Sequence, residues 1–123
     1  GVVIGQQTRT TFAMCYRNIK GNDVAGTALG YKLHIIFNAT ASPSSKAYST
    51  VNESPEAMTF SWEVSTTPVP VEGFKPTASI VIDSTKVDAS KLKQLEDKLY
   101  GANSEEPTMP TIAEIIAIFK QGA

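Results

Sequence analysis

The stretch YKLHIIFNAT, residues 31–40, alternates apolar and polar side chains almost without a break. The odd-numbered positions are apolar or bulky, and these are Tyr31, Leu33, Ile35, Phe37 and Ala39. The even-numbered positions are polar except for Ile36. Because successive side chains of a β-strand point to opposite faces of its sheet, the pattern predicts a strand with one buried face.

The residues before this strand predict a β-hairpin. The segment GNDVAGTALG, residues 21–30, is rich in Gly, Asn and Asp, which is typical of a hairpin loop. A second strand is predicted over Thr11–Arg17, with Phe12, Met14 and Tyr16 on one face. A further short strand is predicted over Val2–Gln7, which is mostly apolar at its start.

A later stretch, SPEAMTFSWEVSTTPV at residues 54–69, also alternates with a period of two. Its apolar phase is Met58, Phe60, Trp62 and Val64, and we expect these side chains to lie in the core. Its polar phase is a stripe of hydroxyls with one acid, made of Thr59, Ser61, Glu63, Ser65 and Thr67. This stripe is either the solvent face of a half-exposed sheet or a surface that meets a hydrated partner without holding it.

The segments around this stretch are predicted to be a loop, a connection and one more strand. SPSSKAYSTVNESP reads as an extended loop with a short edge strand near Tyr48–Val51. Three prolines at positions 68, 70 and 76 make the next segment a connection, because proline cannot donate to a strand ladder. Ser79–Ile82 is apolar on both phases, which favours a central strand covered on both faces.

Two helices are predicted at the end of the chain. In VDASKLKQLEDKLYG, Asp88 is the N-cap, Leu92, Leu95 and Leu99 form a narrow apolar stripe, and Gly101 ends the helix. A second helix opens at Thr111 with a capping box to Glu114. The order of several strands followed by two helices predicts a mostly-β, α+β fold, an antiparallel β-sandwich with helical cover.

Length and composition describe an ordinary globular domain. The chain has 123 residues, 41% hydrophobic and 19% charged, with a net charge of −1, so bulk charge favours neither nucleic acid nor an anionic membrane. We expect residues 1–123 to form a single domain. The apolar opening GVVIG further predicts that the chain lacks the N-terminal part of a longer protein.

The residues offer little for catalysis. There is one cysteine, Cys15, and one histidine, His34, and no nucleophile motif surrounds either, so both are interpreted as ordinary strand residues. The carboxylates are interpreted as a turn former, an N-cap and a solvated helix face, and these are Asp83, Asp88, Glu96 and Asp97. No phosphate-binding glycine motif and no basic face with interleaved aromatics occurs. The sequence therefore predicts a protein that is not an enzyme and uses no cofactor or metal.

Three segments in order carry a resemblance to a known family. SPEAMTFSWEVSTTPV, KPTASIVIDSTKVDASKLKQLEDKLYG and PTMPTIAEIIAIF resemble the C-terminal part of the major tail proteins, or tail-tube proteins, of bacteriophages with long non-contractile tails. The earlier run from GVVIG through FAMCYRN to YKLHIIFNATASPS is similar to the preceding stretch of the same family, so the likeness covers nearly the whole chain.

The resemblance implies a β-sandwich or split-barrel subunit with flanking helices, which assembles into hexameric rings. Such rings stack into the tube through which phage DNA passes. It implies partners in other copies of the chain and in other tail proteins, only non-specific passage of DNA, and no membrane. It places the protein in the virion, and in the host cytoplasm during assembly.

Two functional hypotheses follow. In a tail-tube subunit, the side chains that face the tube lumen or an inter-subunit sheet are expected to be Thr59, Ser61, Glu63, Ser65 and Thr67. A lumen surface without lysine or arginine binds DNA phosphates only weakly, so DNA can slide along it. The alternative is a free-standing β-sandwich binding or adhesion module, which would use Tyr48 and Phe74 as surface aromatics.

Overall fold

The chain is a small α+β protein with an open antiparallel sheet of four strands and two helices. In the computed structural model the described residues are 1–2, 4–5, 8–43 and 61–120. The strands are β1 (Phe12–Ile19), β2 (Tyr31–Pro43), β3 (Trp62–Thr66) and β4 (Ser79–Asp83). The helices are α1 (Ala89–Tyr100) and α2 (Ile112–Lys120).

Strand β2 is the centre of the sheet. Strand β1 pairs with one of its edges, from Ile19 opposite Tyr31 to Phe12 opposite Ala39. Two strands pair with successive parts of its other edge: β4 pairs with residues 32–36, and β3 pairs with residues 39–43. All three pairings are antiparallel, and each of the other three strands pairs with β2.

Asn38 marks the point where the partner of β2 changes from β4 to β3. Its φ is 49°, in the left-handed region that asparagine tolerates better than most residues. The register with β1 shifts here, because Phe12 faces Ala39 while Met14 faces Ile36. The backbone amide of Thr67 donates to the Asn38 carbonyl at 3.2 Å, and the Asn38 side-chain amide donates back to the Thr67 carbonyl at 3.2 Å. The bulge therefore positions the start of the segment that follows β3.

Both helices cover one face of the sheet, where the core lies. The buried cluster consists of Leu33, Ile35, Phe37, Ile82, Leu92, Leu95, Ile112 and Ile115. The predicted buried phase of residues 31–40 is confirmed, with Ala39 also buried and Tyr31 packed against the cluster. The apolar stripes of both helices face this core, as their spacing predicts.

The predicted helix ends are confirmed. A carboxylate oxygen of Asp88 accepts from the amides of Ser90 at 2.9 Å and Lys91 at 3.1 Å. Gly101 follows α1 with φ of 81°, and a Cβ there would lie 2.7 Å from the Glu105 carbonyl oxygen. Glycine is required at that position for both reasons. The hairpin between β1 and β2 is likewise confirmed.

Two predictions about strands are wrong. Strand β4 is not covered on both faces, because Ile82 is buried while Val81 is 54% exposed on the face without helices. The described residues of the predicted first strand, Val2, Ile4 and Gly5, do not lie in a strand. The predicted edge strand near Tyr48–Val51 lies outside the described residues.

Candidate assembly surface

Strand β3 separates its two phases as its alternation predicts. Trp62 and Val64 lie on one face of the sheet, opposite Pro43 and Ala41 of β2. Glu63 and Ser65 lie on the other face, opposite Ser42 and Thr40. The strand is an edge strand among the described residues, since it pairs with β2 alone.

The apolar phase of β3 is not part of the core, which corrects the prediction from its sequence. Trp62 is 62% exposed and Val64 is 41% exposed. No β3 residue belongs to the buried cluster, because the residues that α1 and α2 bury come from β2 and β4. Met58 and Phe60 lie outside the described residues. An exposed tryptophan beside an exposed valine on an edge strand is a candidate contact surface.

The hydroxyl stripe is exposed where it is described. Ser61, Glu63, Ser65 and Thr67 are all exposed, and Thr59 lies outside the described residues. We name the surface formed by Thr40, Ser42, Glu63 and Ser65 the hydroxyl patch. Thr40 and Ser42 were missed from the sequence, because the register between β2 and β3 is not encoded by a short turn.

Arg9 lies against the hydroxyl patch. Its guanidinium donates to the Ala41 carbonyl and to the Ser42 hydroxyl, both at 2.8 Å. Glu63 occupies the register position opposite Ser42, so the patch carries one cation and one anion. Small hydroxyls with balanced charge make a surface that is hydrated and has little net attraction for a polyanion.

Strands β1 and β2 carry an aromatic pair on the face of the sheet without helices. The imidazole of His34 lies on the ring of Tyr16, with centroids 4.7 Å apart and planes 1° from parallel. His34 is half-buried, and its Nε2 is buried with no hydrogen-bond partner among the described residues. Val81 lies opposite His34 on β4. The face without helices is therefore aromatic and apolar where β1, β2 and β4 meet.

A cluster of titratable groups lies on the opposite face, against α1. The Tyr31 hydroxyl donates to Glu96 at 2.5 Å, and burial together with this bond raises the pKa of Tyr31 to about 12. The Cys15 sulfur lies 3.9 Å from the Tyr100 hydroxyl, and burial raises the pKa of Cys15. A raised thiol pKa disfavours the thiolate, which is the reactive form.

The sheet does not bring Cys15 and His34 together. Cys15 faces Ile35 on the helix-covered side, whereas His34 faces Tyr16 on the other side. Three of the four carboxylates take the roles predicted for them: Asp88 caps α1, Asp97 pairs with Lys93 at 2.7 Å, and Asp83 precedes a turn. Glu96 does not lie on a solvated helix face as predicted, because it accepts the hydrogen bond from Tyr31. The Lys20 ammonium, 2.6 Å away, and Thr85 hold the pKa of Asp83 well below its usual range.

The described residues contain neither a metal-binding cluster nor a membrane-spanning helix. They contain no group of three or more His, Cys, Asp or Glu side chains placed to hold a metal ion. None of their helices is long and apolar enough to cross a membrane.

No profile of a known protein family, no curated protein and no solved structure matched the chain. The class of protein is therefore defined by the geometry of the chain. It is a small α+β protein whose open sheet exposes an edge strand with two chemically different faces.

Proposed function

We propose that this chain is a self-assembling structural subunit, of the tail-tube kind that its sequence resembles. The observation that carries the proposal is the exposure of Trp62 and Val64 on edge strand β3. A large aromatic and a β-branched side chain, on a strand edge that no described residue pairs with, are suited to burial by another chain. Assembly through β3 would remove both from water.

In the proposed assembly, a neighbouring subunit covers the apolar phase of β3. That neighbour would supply the second layer of a β-sandwich or split barrel, which a single open sheet lacks. Hexameric rings that stack into a tube, with other tail proteins at their ends, are the form of assembly that the resemblance implies. The virion is then the site of function, and the host cytoplasm the site of assembly.

The hydroxyl phase is proposed to line the tube. Since Trp62 and Glu63 point to opposite faces of β3, covering the first by a neighbour leaves the second facing an aqueous space. Phosphate groups bind strongly where several lysines or arginines release counterions. The hydroxyl patch, with Arg9 balanced by Glu63, supports passage of DNA without retention.

The test is the association state of the full chain. We expect analytical ultracentrifugation to show a mass that grows with protein concentration, and electron microscopy to show rings or tubes. A Trp62→Ser/Val64→Ser variant should stay monomeric at concentrations where the native chain associates. The matched control is Val81→Ser, which removes an exposed apolar side chain from β4 instead of β3 and should leave association unchanged.

A native chain that stays monomeric at every concentration would refute the proposal. Equal association of the β3 variant and the native chain would refute the role of β3 specifically. Dispersed monomers that bind carbohydrate would favour the adhesion module instead. Phe74, one of the two aromatics expected for that module, is 55% exposed, and Tyr48 lies outside the described residues.

A further inference from the structure

A groove of about 620 Å³ lies between α2 and the segment that joins β3 to β4. Its lining is largely apolar and comes from β4, from α2 and from that segment, with Ile80, Ile82, Ile116, Phe119, Val71 and Phe74 as main contributors. Binding pockets for small molecules are of this size and are lined mostly by apolar side chains with a few polar groups. The proposed assembly surface on β3 contributes none of the lining residues.

The wall opposite α2 is held by backbone hydrogen bonds. Val69 and Thr77 exchange two of them, with N···O distances of 2.8 and 3.1 Å. The Phe74 amide donates to the Val71 carbonyl at 3.1 Å and closes a turn within the segment. The groove is therefore bounded by α2 on one side and by a hydrogen-bonded segment on the other, and β4 also contributes to its lining.

Two lysines line the groove near Phe74, and a third contacts one of its lining residues. Lys75 and Lys120 belong to its lining, and the Lys120 Nζ lies 5.2 Å from the centre of the Phe74 ring. The Lys91 Nζ donates to the carbonyl of Phe119, itself a lining residue, at 3.1 Å. Within the described part of the chain, the ion pairs engage Lys20 and Lys93, and none engages these three lysines. The groove thus has an apolar trough and a cationic end that pairs with no carboxylate among the described residues.

We propose that this groove binds a single-chain alkyl carboxylate, with the alkyl chain in the trough and the carboxylate between Lys75 and Lys120. Burial of methylene groups is favourable in proportion to the apolar area removed from water. Ammonium groups at the end of the trough provide charge-assisted hydrogen bonds to a carboxylate. An extended peptide fits less well, because the apolar lining offers few partners for its backbone amides and carbonyls.

The experiment compares two amphiphiles with the same chain and opposite headgroups. Isothermal titration calorimetry would measure dodecanoate and dodecyltrimethylammonium, both below the concentrations at which they form micelles. We expect the native chain to bind dodecanoate at least about tenfold more tightly, the change in Kd that one favourable charged contact provides. The preference should disappear or reverse in Lys75→Glu/Lys120→Glu.

The matched control is Lys86→Glu/Lys98→Glu. It changes the net charge by the same amount at two exposed lysines that do not line the groove, and it should keep the preference for dodecanoate. Ile116→Trp should fill the trough and weaken binding of both amphiphiles by about tenfold or more. Because this last variant could lose its fold, amide chemical-shift changes in the native chain provide a second readout, and they should centre on Ile80 and Phe119.

Three results would overturn the proposal. These are equal affinity of the native chain for the two amphiphiles, a preference that survives in Lys75→Glu/Lys120→Glu, and shift changes centred on β3 instead of the groove. None of them bears on whether the chain assembles through β3, so the proposed function is tested separately.

Discussion

The imidazole of His34 and the phenol ring of Tyr16 lie flat against each other across β1 and β2, with centroids 4.7 Å apart. The stack covers part of the sheet face that has no helix. It also leaves the Nε2 atom of His34 buried without a hydrogen-bond partner among the described residues. A buried polar atom without a partner lowers stability, because its hydration is lost without replacement.

The stack predicts that His34→Phe raises stability. A phenyl ring keeps the contact with Tyr16 and removes the unpaired nitrogen, so we expect a gain of about 1 kcal/mol in the free energy of unfolding. Urea unfolding near neutral pH measures it. Tyr16→Ala is the companion variant and should cost about 0.5–1.5 kcal/mol for the lost ring contact. A loss of stability in His34→Phe would mean that Nε2 has a stabilising partner.

The one-sided core predicts unequal costs for two apolar truncations. Leu33 is fully buried between the sheet and the helices, whereas Val81 on the other face is 54% exposed. Leu33→Ala should lower the free energy of unfolding by about 2–5 kcal/mol, because it leaves a cavity in the core. Val81→Ala should change it by only about 0.5 kcal/mol. Similar values in denaturant titrations of the two variants would contradict a core on one face only.

The ion pair between Lys20 and Asp83 predicts sensitivity to acid. The folded-state pKa of Asp83 lies below its usual value of 3.8, first because of the hydrogen bond from Lys20 and then because of Thr85. The stabilisation is therefore present above about pH 4 and is lost as the pH falls through the lowered pKa. Asp83→Asn should lower the urea midpoint near neutral pH, and its difference from the native chain should shrink below about pH 4.

The control for this pH dependence is Asp97→Asn. Asp97 pairs with Lys93 on an exposed helix face, where ion pairs contribute little, so this variant should change the midpoint little at either pH. An Asp83→Asn effect that stays constant down to strongly acidic pH would show that the carboxylate charge is not responsible.

The hydroxyl patch predicts that added lysines retard DNA. In virions assembled with Ser61→Lys/Glu63→Lys subunits, we expect slower ejection of DNA, because each new phosphate contact adds affinity by counterion release. The delay should shorten as salt is raised. Thr66→Lys is the control, since its register position opposite Ala39 places it on the other face of β3. Normal packaging and ejection by the double variant would show that this face does not line the lumen.

Much of the architecture follows from local sequence patterns. The alternation of residues 31–40 predicted which side chains of β2 are buried, and the spacing and caps of α1 and α2 predicted their bounds and inner faces. These features depend on the geometry of a single element, which repeats every two residues in a strand and every 3.6 in a helix. Such geometry is present in the sequence before any tertiary contact forms.

Strand β3 shows where local patterns stop being informative. Its alternation correctly separated Trp62 and Val64 from Glu63 and Ser65, yet it also led to the prediction that the apolar pair is buried. A period of two assigns side chains to faces and carries no information about which faces are covered. Val81 on β4 was mispredicted for the same reason.

Which strand faces are buried depends on where the helices pack against the sheet. That packing is determined by contacts between residues far apart in the chain. The apolar stripes of α1 and α2 bury Leu33, Ile35 and Ile82, and they leave β3 open. The register that places Ser42 beside Glu63 is likewise long-range, since a separation of many residues leaves strand pairing free of any turn constraint. The sequence alone thus predicts that the polar stripe in residues 59–67 lies on one face of a strand. The hydroxyl patch also needs residues of β2, so it forms only when β2 and β3 pair in the sheet.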